Sequence, residues 1–399
     1  DYDGNNRKII AKKNVIFNSN NSNLKTQILF HDRELKEIYF EKGGVVRDSL
    51  NTIKSTEGKY YLETSKYEFN KRVNVYNDNT DIKSKKLDYY SNSNKVFFYG
   101  PTVITGEDYR IFSEKGFYNT KSKNGFFNTN AKIEHSNRTI VGDSLIFDDL
   151  KKYASGTTNV TITDTINKTI IKGDFAEIFN ELDSAMVTKN AYAIKLLKKD
   201  SLFIKADTLF AVGPDENRFI KGRYNVKFFK TNMSGKSDKF TMNQKSGLIK
   251  LIRNKLSKRE QQILTSREIS KKNPVIWNGE SQMSGDEIHI IRNLETNQLD
   301  SLKILNNAFV IEKDSFGIDN YNQIKGIDLF GNFKDNELEK IRLNRNTEMI
   351  YYLYDEESKE LIGVDKAICS SILMTINNNK IDEIIFYTNP EGKVYPEDD

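Results

Sequence analysis

An aliphatic residue recurs at a fixed spacing of 29 in the first third of the chain, at Leu24, Ile53, Ile82, Ile111 and Ile140. A constant period of this length is the mark of a repeat architecture, in which each unit buries its apolar face only against its neighbours. Less regular anchors follow at Ile171, Ile204, Met233, Met283, Ile324 and Leu361. Two residues after each anchor stands a small residue: Thr26, Ser55, Ser84, Ser113, Gly142, Gly173, Ala206, Gly235, Gly285, Gly326 and Gly363. Lysine often separates the two, as at Lys25, Lys54, Lys83, Lys172, Lys205 and Lys325. Apolar, lysine, small is a two-residue alternation, so anchor and small residue share the inner face of a strand while the lysine meets water.

Seven residues beyond many anchors comes an aromatic: Tyr60, Tyr89, Tyr118, Phe147 and Phe240. Seven is odd, so a regular strand would turn these rings outward. A bulge or corner between anchor and ring restores the inward direction, and an exposed ladder of Tyr and Phe would oppose solubility. Each unit has a second half beyond an Asn-rich turn such as Ser91-Asn92-Ser93-Asn94, with β-formers at Val45-Val46, Val73 with Val75, Val103-Ile104, Val160 with Ile162, and Val226 with Phe228. Two strands per roughly 30 residues, joined by hairpin turns, predict an all-β, antiparallel array. A right-handed parallel β-helix is the competing fold.

Composition narrows the functions. The 24 Phe and 20 Tyr supply a core, and no apolar stretch approaches the length of a membrane-spanning helix. Sixty-one basic against 56 acidic residues give a net charge of +5, too mild and too dispersed for a nucleic-acid binder. A lone Cys369 excludes an internal disulfide and a multi-cysteine zinc site, and His31, His135 and His289 are too scattered to suggest a metal centre. Cys369 reads as a small core hydrophobe. No phosphate loop, nucleophile elbow or metalloprotease motif occurs. Acidic groups at Asp148-Asp149, Asp355-Glu356-Glu357 and Asp382-Glu383 read as solvated turn charges, so neither an enzyme nor a cofactor is expected.

One segment breaks the period. Fifty residues separate Met233 from Met283, and Ser257-Lys258-Arg259-Glu260 matches a capping box that predicts a short helix near 257–268. The expected organisation is a repeat lobe at 1–254, a charged insert at 255–273 and a second repeat lobe at 274–399. At the other end no signal peptide is visible, and any targeting segment is expected to have been removed. Tyr2-Asp3-Gly4 looks like the close of a unit whose anchor would precede residue 1, which predicts at least part of one more unit upstream.

The small residues two after each anchor allow two readings. They let two sheet walls approach closely, or they leave a groove for an extended apolar ligand. The string Ile140-Val141-Gly142-Asp143-Ser144-Leu145-Ile146-Phe147, echoed at Ile171-Lys172-Gly173-Asp174, resembles the repeat of the OstA/LptA-like family of lipopolysaccharide-transport proteins. The C-terminal half is similar to the large Bacteroidetes-type version, through Pro274-Val275-Ile276-Trp277 with Gln282-Met283-Ser284-Gly285-Asp286, and through Asn322-Gln323-Ile324-Lys325-Gly326. The chain departs from the pattern where Ser55, Ser84 and Ser113 replace glycine and where Thr56, Lys85 and Glu114 replace the following aspartate. The resemblance implies an elongated, twisted, V-shaped β-jellyroll with an open groove, located in the periplasm, free or associated with the outer membrane. It implies a groove that carries the acyl chains of lipid A, with Ile53, Ile82, Ile111, Ile140, Ile171, Ile204, Tyr89, Tyr118 and Phe147 lining it. Partners would be lipopolysaccharide and related β-jellyroll transport proteins, including an outer-membrane translocon, joined through edge strands. A structural or carbohydrate-binding β array with a closed core is the alternative.

Overall fold

The structure, a computed structural model, describes residues 2–396 except 4–6, 20, 198–199, 232, 297, 315, 318, 356 and 378–379. Gly4 and Glu356 therefore lie outside the described residues. The chain divides into two compact units, residues 1–166 with 170–187, and residues 167–169 with 188–399. Both are built of antiparallel strands, so the antiparallel reading holds against the parallel β-helix.

The strands of the first unit serve two ladders at once. Asn23–Asp32 pairs through residues 23–26 with Gly44–Arg47 and through residues 30–32 with Glu37–Phe40, two separate strands. Longer strands such as Lys66–Asn77, Thr80–Tyr90 and Lys95–Thr105 stay unbroken, but each shifts register near its middle, where one ladder gives way to the other. Hairpin turns join them alternately at the two ends.

The mid-strand corner is made in two ways. In Thr80–Tyr90, Lys85 and Lys86 are both exposed in succession, so the alternation changes phase and Ile82, Leu87 and Tyr89 all face inward. This is the bulge that the odd spacing required. Ser84 Oγ donates across it to the carbonyl of Lys86 at 3.0 Å, and Ser55, Ser113 and Ser237 donate equivalently to Glu57, Lys115 and Lys239. Serine thus replaces glycine at a corner because its hydroxyl satisfies a carbonyl that the ladder has released.

On alternate strands the corner is a pair of residues with positive φ: Lys71-Arg72, Thr129-Asn130, Thr158-Asn159, Tyr224-Asn225 and Arg345-Asn346, with φ between 51° and 65°. Asn holds the second position in four of these five, as the residue that tolerates left-handed backbone best after glycine. These four asparagines belong to corners inside strands rather than to hairpin turns. The acidic residue after the small position answers it: Asn159 Nδ2 donates to Asp143 at 3.0 Å and Asn130 Nδ2 to Glu114 at 3.0 Å. The Ile-x-Gly-Asp string therefore describes a corner, with Asp143 bound to the asparagine of the next strand.

In the second unit ten strands, from Met233–Asn243 to Glu337–Tyr354, close into a ring of pairings, the last strand pairing with Asp328–Lys334 through its first half and with Tyr321–Gly326 through its second. The open V-shaped groove is corrected here: a closed 10-strand barrel stands in its place. The ring arises because the corners at Gly285-Asp286, Asn306-Asn307 and Ile327 interrupt the strands, so each half pairs separately. The insert lies within this unit at one such corner, between Leu248–Ile252 and Val275–Asn278, which both pair with Met233–Asn243. It holds two helices, Lys258–Ile263 and Ser266–Lys271, rather than one. The Ser257–Glu260 capping box forms as read, and a second, Thr265 with Glu268, starts the other helix.

Candidate functional site

The candidate site is the space between the two ladders, and its walls are cross-strand rows. In the first unit one wall is the row Leu24, Val46, Ile53, Val75, Ile82, Ile104, Ile111, Ile133, Ile140 and Ile162, each directly opposite the next. Anchors and second-half β-formers thus merge into one aliphatic surface, while Lys54 and Lys83 face water. The opposite wall carries Tyr60, Tyr67, Tyr89, Val96, Tyr118, Gly125, Phe147 and Ala154 in register.

Beside it, nearer the corners, runs a second row of the same wall, Phe40, Gly58, Phe69, Leu87, Phe98, Gly116, Phe127, Leu145 and Gly156. Here glycine sits opposite rings for a steric reason. A Cβ on Gly58 would lie 2.5 Å from the Phe40 ring, and one on Gly125, in the neighbouring row, 2.7 Å from the Phe127 ring. The interior of this unit is consequently filled. Ile53, Ile82, Ile111, Ile140, Tyr89, Tyr118 and Phe147 all sit inside, at most 4% exposed, and Ile171 is buried with them. Ile204 is buried in the second unit.

The ladders are joined differently on their two sides. At the corners the backbone itself passes from one to the other. At the turn ends the named contacts are side-chain hydrogen bonds from tyrosines of one wall to turn residues of the other. Tyr67 Oη meets Ser22 Oγ at 2.7 Å, and Tyr118 Oη meets Tyr109 Oη at 2.9 Å. Tyr89 Oη donates to Asp48 and accepts from Asn51 Nδ2 at 2.9 Å. Burial pushes the Tyr67 hydroxyl up to about 12, and those of Tyr89 and Tyr118 further, so all three stay protonated and able to donate.

The second unit keeps the geometry and changes the filling. One wall is the row Ala193, Ile204, Phe228, Gly235, Ile276, Met283, Val310, Ile324, Met349 and Ala367. The row passes through Gly235, so the repeat read at Met233, Gly235 and Phe240 is out of step by two residues; Gly235, Ser237 and Met242 are the true equivalents. The facing row is Ala211, Ile220, Met242, Ile249, Ile290, Leu302, Gly331, Ile341, Met374 and Ile384. A small cavity of ≈ 20 Å³ lies between these walls, lined by Val310, Ile324, Ile341 and Met374 with Glu312 at its polar end. Burial, then Glu280 and Asp314, raise the Glu312 carboxyl to about 7.

Two of the acidic groups noted in the sequence are turn fixtures, whereas Asp382-Glu383 lies exposed within the strand Lys380–Tyr387. Asp148 accepts from the Lys151 N–H and Asp149 pairs with Lys152 Nζ, while Asp355 accepts from the Glu357 and Ser358 N–H groups. Among the described residues no group of three or more His, Cys, Asp or Glu could hold a metal ion, and no helix is long and apolar enough to cross a membrane. Cys369 is buried at a corner beside Thr347 Oγ1, 2.9 Å away. Sequence reasoning missed the tyrosine hydrogen bonds. Their signal was the recurrence of Tyr, rather than Phe, seven beyond an anchor.

Fold and interior define an antiparallel β-repeat protein with an apolar space between two walls. Residues 1–85 match the model of the OstA-like protein family. Among solved structures, the chain is similar to LptH, described as the LptA homologous periplasmic component of the conserved lipopolysaccharide transport device from Pseudomonas aeruginosa. That likeness has 14% identity, covers 33% of this chain and 90% of that one, and has a TM-score of 0.27, too low to carry an argument. No curated protein matches.

Proposed function

We propose that the chain is a periplasmic lipopolysaccharide-transport protein that carries the acyl chains of lipid A between its two ladders. The observation that supports this most is the unbroken aliphatic row from Leu24 to Ile162, facing a wall held to it at the turn ends by side-chain hydrogen bonds. Each such bond is worth about 1 kcal/mol net, so the walls part there at far lower cost than at the corners, where covalent backbone joins them. An acyl chain entering by that side replaces aromatic rings against Ile53, Ile82, Ile111, Ile140 and Ile171, with Tyr89, Tyr118 and Phe147 as the moving wall; in the second unit an acyl chain would lie against Ile204. The OstA-like match of the N-terminal segment supports the same reading.

The terminal strands supply the means of bridging between membranes. Lys380–Tyr387 and Glu391–Tyr395 each pair on one side with Leu361–Asn377, and their other edges suit strand addition by a related transport protein, including one at the outer membrane. The test of the interior is a photo-crosslinking residue at Ile82, Ile111 or Ile140, with Lys83 as the outward control, exposed to lipopolysaccharide. Adducts at the three anchors and few at Lys83 are expected. A second reading, a closed structural array, is favoured by the burial of Tyr67, Tyr89 and Tyr118 at 0% exposure. It predicts no adducts anywhere in a folded sample.

A further inference from the structure

A cavity of ≈ 670 Å³ lies outside the walls, between the insert and the outer face of the second unit. Its floor is a single cross-strand row, Lys236, Val275, Ser284, Phe309 and Lys325, each opposite the next. Val275 and Phe309 give this floor apolar surface on either side of Ser284, a lysine stands at each end, and the insert contributes Lys271 and Asn273 from above. The lining contains three lysines and no carboxylate.

Nearby acids are already engaged. Glu348 pairs with Lys325 at 2.9 Å, and Asp286 has Arg253 3.7 Å away and accepts from Asn273 and Asn307. Lys236 Nζ stands over the Trp277 ring, 5.8 Å from its centroid. Asn273 is 6% exposed, and its Nδ2 donates to Asp286, which fixes the amide's orientation. Its Oδ1 is left buried with no hydrogen-bond partner. A buried acceptor without a donor is destabilising, so such an atom on a residue that lines the cavity marks a place for a donor.

We propose that this cavity binds a phosphorylated saccharide. Lys236 and Lys271 meet the phosphate, a sugar hydroxyl donates to Asn273 Oδ1, and the ring lies over Val275 and Phe309. Lysine recognises phosphate as a point charge, and an apolar floor beneath polar walls suits the two-sided surface of a sugar ring. The insert then has a task, to roof the site, and its two capping boxes together with the Lys272–Glu260 ion pair hold the roof in shape. The site stands apart from the interior and does not depend on whether the interior carries lipid.

The test is calorimetric titration of the full chain with glucose 6-phosphate, inorganic phosphate and glucose. Glucose 6-phosphate should bind at least tenfold more tightly than either of the others. Lys236→Gln with Lys271→Gln should weaken it at least tenfold with Tm unchanged, since both side chains are exposed. Absence of binding, equal affinity for phosphate alone, or unchanged affinity in the double variant overturns the proposal. A parallel arm uses phosphatidylcholine vesicles with and without a phosphorylated glycolipid. Capture by the glycolipid vesicles that the double variant loses identifies a lipid headgroup as the source. Binding of the free sugar phosphate alone identifies a soluble ligand.

Discussion

The two units share one strand geometry and fill it with different chemistry. In the first, the wall opposite the aliphatic row carries Tyr60, Tyr67, Tyr89, Tyr118 and Phe147, and the hydroxyls of Tyr67, Tyr89 and Tyr118 find Ser22, Asp48, Asn51 and Tyr109. In the second, the matching row is Ile220, Met242, Ile249, Ile290, Leu302, Ile341 and Met374. Aromatic rings with bound hydroxyls specify one packing. Aliphatic and methionine side chains have no hydroxyl to place, and methionine adapts to gaps of varied shape. The difference teaches that a repeat can set the position of every inward side chain without setting whether the space between them yields. The second unit's wall is the more adaptable, while the first unit's opens only by breaking its turn-end hydrogen bonds.

The largest effect should come from emptying the aromatic wall. Phe127→Ala removes a fully buried ring, and the expected cost is ~3–5 kcal/mol by urea unfolding. Met242→Leu, a change of equal volume in the second unit, should cost less than ~1.5 kcal/mol. Equal costs would erase the contrast between a specified and an adaptable wall.

Glu312 tests the second unit by pH. Its carboxyl, raised to about 7 chiefly by burial, keeps a proton that the unfolded chain releases near 4.5. The folded state therefore holds more protons between pH 4.5 and 7, and stability falls as pH rises through that window. Glu312→Gln should flatten the dependence and raise stability at pH 8 by at most ~2 kcal/mol, allowing for partial exposure. A slope unchanged in the variant would place the titration elsewhere.

The smallest effect concerns one hydrogen-bonded group of the first unit. Tyr89→Phe leaves the ring and deletes the hydroxyl shared with Asp48 and Asn51, for an expected loss of ~1 kcal/mol. The same variant should increase lipid adducts at Ile82 if the walls part at the turn ends. A loss of stability with no change in labelling would confine the bond to a structural role.

How far the sequence reads can be seen in one strand. Ile82, Lys83, Ser84 and Tyr89 have their facing, and the bulge between them, written in an odd spacing. The hairpin turn at residues 91–94 is as plain. Three features lie beyond such reading. That Phe98 faces Gly116 depends on register between strands, which periodicity along one strand does not contain. Whether the space inside is a groove or a filled core depends on which rings cross from the far wall. The contact of Tyr89 with Asp48 joins residues 41 apart, and only folding brings them together.

The corners have one further consequence. At Asn306-Asn307 a strand crosses between ladders in two residues, whereas at the equivalent point Leu248–Ile252 and Val275–Asn278 are separated by 22. Both of the latter still pair with Met233–Asn243 in ordinary register. Since hydrogen bonding already lapses at each bend, added sequence there displaces no ladder bond. A bend is thus a grafting point, and the molecule can gain new surface at any repeat while every strand keeps its neighbour.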